Sequence, residues 1–480
     1  MGWTGRQSSL VVAFLVVCSA SLPALGLGNE ADPAATGLTY GVDAGVGETD
    51  NVNFAPSGAV SQTIATVDAD VSLKQRTALL EDQVKGQFTF FDYLEHAYGS
   101  QLIGRLDGTA DVAIVPERVF WFVQDDYGEA TLDPFSAPIP TNLEYVNAFS
   151  TGPEWELHFG ASTFLKLDAR YSRVQYQTSP FNNNRFLGSL QLGLSTSARA
   201  AISFNATVER VAYQDTLLNT DATRGSFYGE YEIQGARTDV TARLGVTSVD
   251  SGGTTTRGSL ATLVASRKLS RAATLSLQGG RILTDASASL ANLQGGASGA
   301  ISTSQAAVTS SIYTQTYAQL GWQYLRNRTT LAFSGRWEND TYAGDQPAID
   351  VVGVATPLAN LTTDPAALDS SRRGAEFSAE QRMSRSLSLQ LLGSYYQWDF
   401  PHANYSILEG ETRREDSRIG TALVYRKGRG LEVRLRYDHL ERVISGVESG
   451  TGFKDNTVYL TIGYRPRAPE PVDTLADPAP

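Results

Sequence analysis

From Gly37 onward the chain alternates apolar and polar residues in long runs, and that period of two constrains the fold more than any other feature. Leu38, Tyr40, Val42, Ala44 and Val46 alternate with Thr39, Gly41, Asp43 and Gly45. Leu102, Gly104, Leu106, Gly108, Ala110, Val112 and Ile114 alternate with Ile103, Arg105, Asp107, Thr109 and Asp111. Leu165, Leu167, Ala169 and Tyr171 alternate with Lys166, Asp168 and Arg170, and Leu431, Val433, Leu435 and Tyr437 with Glu432, Arg434, Arg436 and Asp438. Successive side chains on a strand point to opposite faces, so each run has one apolar and one wet face. The runs span about 9 to 13 residues, where soluble strands average about 5 or 6 and a tilted membrane-crossing strand needs about 9 to 11. Length therefore favours a membrane barrel over a soluble sandwich.

The connections alternate between tight and long. Tight ones lie at Leu73 to Arg76, Pro116 to Arg118, Ser197 to Arg199, Gly235 to Arg237, Leu269 to Arg271, Leu325 to Arg328, Met383 to Arg385 and Lys427 to Gly430. Each carries an arginine and precedes a fresh alternating run. The long ones, residues 125–141, 285–310, 340–372 and 400–415, are polar and rich in Gly, Ser, Asp and Pro. Short periplasmic turns and longer external loops characterise transmembrane barrels. The expectation is an all-β fold, an antiparallel up-and-down transmembrane β-barrel of about 18–20 strands with both ends periplasmic. The stretch 74–93 reads either way and leaves the count open. A β-solenoid would show a fixed repeat with Gly or Asn at one offset, and the loop lengths here vary too widely for that.

The N-terminus fits export. Arg6 precedes an apolar run from Ser8 to Val17, and Ala24 and Gly26 supply small residues for signal cleavage. The run is too short for a membrane helix, which needs about 20 residues. Residues 1–26 are read as a cleaved signal, 27–36 as a short periplasmic segment, 37–465 as the barrel and 466–480 as a disordered periplasmic tail. Cys18 is the only cysteine. It would be acylated in a lipoprotein, but Val17 stands where a small residue is expected. Cleavage after Gly26 leaves no cysteine, hence no disulfide or thiolate metal site. With 39 Lys plus Arg against 51 Asp plus Glu, the net charge of −12 argues against nucleic-acid binding. The mean hydropathy of −0.20 is what averaging a lipid face with a wet face produces.

Aromatic residues near run ends (Tyr40, Phe159, Tyr171, Tyr213, Tyr324, Trp337, Tyr395, Trp398, Tyr425, Tyr437 and Tyr464) suggest interfacial girdles. The last run turns Val458, Leu460, Ile462 and Tyr464 outward and resembles the terminal strand read by barrel-assembly machinery, though here a tail follows it. Gly47 to Pro56, reading GETDNVNFAP, resembles the first loop of outer-membrane proteins associated with PEP-CTERM and exopolysaccharide gene clusters, a putative β-barrel porin group. The segment from Phe120 to Pro134, with Asp125, Asp126, Leu132 and Asp133, is similar to the same group. The resemblance covers about the first quarter of the chain. It implies a role in surface-polysaccharide export, possible polysaccharide and envelope-export partners, and no catalytic residues.

Charges on the wet phase should line the interior, since Arg or Lys facing lipid at mid-depth costs about 2 to 4 kcal/mol. The expected lumen set is Arg105, Asp107, Lys166, Asp168, Arg170, Arg243, Arg336, Glu432, Arg434 and Arg436, with Asp68, Asp70, Glu230, Glu232 and Glu338 on the same phase. Tyr459 also points inward and could stack on a sugar ring. Mixed signs suit either an open channel with a transverse field or a salt-bridged, closed lumen. The four histidines, His96, His158, His402 and His439, are not paired at metal-ligand spacing or beside a hydrolase serine. Of these, His402 with Glu409 or Glu411 comes nearest to a barrel-hydrolase arrangement. No cofactor, metal or catalytic site is expected. Three functions remain: a porin-like channel, a structural or adhesive barrel acting through its loops, and an outer-membrane enzyme. A bacterial outer-membrane location, among its lipids, is common to all three.

Overall fold

The computed structural model describes residues 37–131, 139–216, 219–285, 312–342, 349–350, 362–363, 369–401, 412–428, 430–446 and 452–466. The proposed signal, the N-terminal segment, nearly all of the tail, His402 and most of the long loops lie outside them. The strands run β1 (Gly37–Thr49), β2 (Gln62–Arg76), β3 (Leu80–Tyr93), β4 (Gln101–Val115), β5 (Val119–Thr131), β6 (Leu143–Phe159), β7 (Thr163–Tyr176) and β8 (Asn183–Ser197). They continue with β9 (Ala200–Tyr213), β10 (Ala222–Gln234), β11 (Thr238–Ser251), β12 (Thr254–Lys268), β13 (Ala273–Asp285), β14 (Ile312–Arg326) and β15 (Thr329–Tyr342). After a two-residue hairpin, β16 (Ile349–Asp350) with β17 (Thr362–Thr363), come β18 (Ser370–Arg382), β19 (Leu387–Asp399), β20 (Arg413–Lys427), β21 (Leu431–Ser445) and β22 (Phe453–Tyr464).

Apart from the β16–β17 hairpin, the strands form one 20-stranded antiparallel sheet in which chain neighbours pair. It closes where β1 meets β22, from Val42 opposite Tyr464 to Thr49 opposite Thr457. The barrel is thus the larger of the two expected sizes. The ambiguous stretch 74–93 is the end of β2, a turn, and β3, paired from Ile64 opposite Tyr93 to Arg76 opposite Glu81. Following the register once round returns to β1 about 26 residues further along, which tilts the strands by about 40°. Twenty strands spaced about 4.8 Å apart at that tilt give a backbone diameter of about 40 Å.

The two faces are those of a membrane wall. Leu244 is 70% exposed, Ile419 64%, Val246 61% and Val208 59%, all on the outer phase. A soluble protein would bury such side chains; here they form the belt that meets acyl chains. Tyr40, Trp337, Tyr395, Tyr425, Tyr437 and Tyr464 join that belt. Tyr213 and Trp398 do not. Both are buried on the inner phase, so their placement near run ends reflects lumen packing rather than an interfacial girdle. One outward acid, Asp125, is fully covered by its neighbours and accepts a hydrogen bond from Asn147 Nδ2 at 2.8 Å.

One rim of the barrel carries only tight turns. The arginine-bearing turns from Pro116 onward recur as expected, but Leu73 to Arg76 lie in β2, paired with β3, and the turn there is residues 77–79; that turn and the one at 160–162 carry no arginine. The opposite rim carries the longer connections with one exception: Gly252 and Gly253 alone join β11 to β12. Both have positive φ, 59° and 81°, a conformation that glycine adopts without strain. This polarity gives a test. A protease site inserted within residues 343–348 should be cut on intact cells, and one inserted at Lys427–Gly428 should be protected; the reverse pattern would invert the orientation.

Candidate functional site

The inner wall is built by the polar phase of every strand. The register puts Arg105, Asp107, Lys166, Asp168, Arg170, Arg243, Arg336, Glu432, Arg434 and Arg436 on this face, with Asp68, Asp70, Glu230, Glu232, Glu338 and Tyr459. They do not converge on one spot but are distributed around the lumen, most of them in local ion pairs. Arg170 lies 3.6 Å from both Glu154 and Asp168, with its guanidinium 4.1 Å from the centre of the Phe122 ring. Lys166 lies 3.3 Å from Glu156. Arg243 pairs with Glu230, and Arg336 with Glu338, each at 2.5 Å.

The signs are unevenly spread. Acids dominate the inner face of β1–β6, with Asp43, Asp68, Asp70, Asp107, Asp111, Asp126, Glu144, Glu154 and Glu156. Arginines dominate β18–β21. Glu432 holds Arg434 at 2.7 Å and Arg426 at 2.9 Å, and Asp438 holds Arg436 at 2.5 Å and Arg418 at 2.8 Å. Above them Arg372 lies 4.4 Å from the Tyr396 ring centre, and Arg414 4.5 Å from that of Trp398. Such stacking is favourable for a guanidinium. Arginine reaches roughly 7 Å from its Cα, so wall side chains alone leave the axis of a lumen about 40 Å across unfilled.

A segment missed by sequence reasoning enters that space. Pairing of β12 with β13 stops at Ala261 opposite Arg281, although β12 runs on to Thr254. Beyond Arg281, β13 stays paired with β14 as far as Asp285 opposite Ile312. A Cβ placed on the inward-facing Gly258 of β12 would lie 3.2 Å from Leu283 Cβ, so the end of β13 passes inside β12. Leu283 and Ile312 cover Val249 of β11, which is 1% exposed, and Ala222 packs against them.

The tip is held by charge. Asp285 lies 2.7 Å from Arg185 of β8 and 2.6 Å from Arg224 of β10. Both arginines also pair with Glu209 of β9, at 2.9 and 3.2 Å. Strands β8 and β13 are five spacings apart, about 24 Å of wall, so Asp285 reaches Arg185 only because the hairpin folds inward. Next to it, Ala130, Val146, Ala148, Val174, Tyr176 and Phe181 form an apolar cluster inside the same end of the barrel. The sequence marked residues 285–310 as an external loop. The described flanks of that loop instead form a tongue inside the lumen, a feature whose only sequence trace is an acid ending an alternating run.

A closed wall, an apolar outer belt and a charged interior leave one environment for this fold. The chain is an outer-membrane β-barrel. No family model and no curated protein matches it. Among solved structures it is similar to the FrpB iron transporter from Neisseria meningitidis, F3-3 variant, at 11% identity and a TM-score of 0.46, covering 93% of this chain and 83% of that one. It is also similar to the siderophore receptors PirA from Pseudomonas aeruginosa (12%, TM-score 0.43, 89% and 80% covered) and from Acinetobacter baumannii (10%, 0.45, 89% and 80%). Likeness at this level assigns no cargo.

The GETDNVNFAP segment has a structural role at the seam. Asn51 Nδ2 donates to the carbonyls of Ala55 at 2.9 Å and Lys454 at 2.8 Å, while its Oδ1 accepts from Ala55 N at 3.0 Å. Asp50 accepts from Asn456 N and Nδ2, at 2.8 and 2.7 Å. Phe54 packs on Phe453 with ring centres 4.8 Å apart. The loop therefore fastens β1 to β22 across the closure. In the next described loop, hydrogen bonds from Thr63 hold the Glu95 carboxyl below its ordinary range. His96 lies in that same loop, His158 near the end of β6, and His439 on the outer phase of β21. Among the described residues no group of His, Cys, Asp and Glu could hold a metal ion.

Proposed function

We propose that the barrel is a passive, porin-like channel for polar solutes, with export or passage of exopolysaccharide as its cellular task. The observation that carries the channel reading is the charged lumen narrowed by an inward tongue. A wide wall with a wet inner face admits hydrated solutes, and a folded-in segment limits their size. Ion pairs placed along the wall offer solutes a field without deep binding wells, which suits passage better than retention. The exopolysaccharide assignment rests on the resemblance of the first loop and on the hydroxyl, amide and aromatic groups among the lumen charges. The enzyme and adhesive readings have no comparable support.

Purified protein in planar bilayers should give discrete conductance steps. Absence of channels in several lipids, and also after removal of residues 286–311, would exclude the passive pore. Replacing Arg434 and Arg436 together by Gln removes two cations and leaves Glu432 and Asp438 without those partners. The reversal potential in a salt gradient should then move towards cation preference, with selectivity changing about twofold. An unchanged reversal potential, with conductance intact, would place these arginines away from the ion path.

A further inference from the structure

We propose that the outer wall binds phosphate groups of outer-leaflet lipids along a one-sided arc formed by Arg173, Arg210, Arg257, Arg281 and Arg373. All five lie on the lipid-facing phase, which the register fixes. Arg173 stands opposite Phe149, Arg210 opposite Phe186, Arg257 opposite Ser248, Arg281 opposite Ala261 and Arg373 opposite Trp337. They also share a level. Strands tilted by about 40° drop a horizontal line by roughly 1.3 residues per strand relative to the hydrogen-bonded rows. From β7 through β9, β12 and β13 to β18, each arginine sits correspondingly lower on its row. The level is the upper edge of the apolar belt, on the rim with the longer connections.

Among the described residues, Arg173, Arg257 and Arg281 have no ion-pair or hydrogen-bond partner. Arg210 has one distant acid, Asp221 at 3.8 Å, and Arg373 donates to Gln397 at 3.1 Å. This contrasts with the lumen, where arginine after arginine sits against a carboxylate. Guanidinium groups at a membrane edge are suited to phosphate, which they bind through two parallel hydrogen bonds. Directly below the arc Phe186, Val208, Phe227, Leu244 and Val246 are 54 to 70% exposed, a surface for the acyl chains of the same lipid. At the equivalent level β1, β3 and β5 present Glu48, Asp92 and Glu129, which repel phosphate. The charge split makes the site an arc rather than a uniform collar.

The test uses the full mature barrel in neutral detergent, with bis-phosphorylated lipid A as probe and dephosphorylated lipid A as its control, read by native mass spectrometry. The wild-type protein should retain the phosphorylated lipid about tenfold better than the Arg257→Gln, Arg281→Gln variant. The Arg257→Lys, Arg281→Lys variant should fall between them, since an ammonium keeps the charge but not the paired hydrogen bonds. Glu48→Gln should leave retention unchanged. Neither glutamine adds a charge to the belt, so assembly is expected, and heat-modifiable migration on a gel checks it. Equal retention by wild type and the glutamine variant, or equal retention of both lipids, would overturn the proposal. So would displacement of the lipid by millimolar inorganic phosphate, which would mark a free-anion site.

Discussion

Replacing Val433 by Arg should largely abolish assembled barrel, whereas Arg434→Gln, one residue away, should leave assembly near normal. Val433 stands opposite Tyr425 on β20 and Ile462 on β22, both outward and about half exposed. Counting levels with the strand tilt puts it beside Val42, the centre of the apolar run on β1. An arginine there faces lipid at mid-depth and costs about 2 to 4 kcal/mol. That is a large share of a net stability of about 5 to 15 kcal/mol. Arg434 already lies on the wet face, so glutamine exchanges one polar group for another and frees one oxygen of Glu432. The readout is the heat-modifiable fraction in purified outer membranes. Equal loss in both variants would mean that the faces of β21 have been exchanged.

The wall was legible in the sequence because one physical rule writes it. A lipid face and a wet face must alternate at every position for a dozen residues, so Leu431 to Asp438 declares both its strand and its orientation. The strand from Leu80 was harder, because Asp82 and Asp92 fall on its outer phase and Phe91 and Tyr93 on its inner one, and no glycine or proline marks the turn before it. The aromatics were ambiguous for a related reason. Tyr213 and Trp398 sit near strand ends as interfacial rings do, yet only the pairing register reveals that they point inward. Least visible was the tongue. The outer phase of β13 still carries Leu283 beyond Arg281, as though the strand stayed in the wall, and its departure depends on partners far away in the chain. Asp285 finds Arg185 and Arg224 through a separation of 100 and 61 residues, and no local pattern records that.

Those contacts make the tongue the place where one small change should have the largest effect on the lumen. Asp285→Asn removes the acid shared by Arg185 and Arg224, leaving Glu209 to hold both guanidinium groups without it. Arg185 is 2% exposed, and stripping one partner from a buried pair costs about 3 to 5 kcal/mol. Against this, the tongue is also anchored by the packing of Leu283 and Ile312 on Val249 and Ala222, with burial of a Leu or Ile contributing about 1.5 to 3 kcal/mol. The two terms are of similar size, so loss of the charge cluster should let the tongue leave the wall for part of the time. Cys18, the chain's only cysteine, lies in the segment read as a cleaved signal, so on that reading a single introduced thiol reports alone. Val249→Cys, beneath the tongue, should react slowly with a membrane-impermeant maleimide, and about tenfold or more faster when combined with Asp285→Asn. Single-channel conductance of the Asp285→Asn protein should rise about twofold, because the lifted segment no longer narrows the path. Equal labelling with and without Asp285→Asn would mean that the tongue stays in place without the charge cluster. Faster labelling without a conductance change would place the narrowest point of the lumen elsewhere.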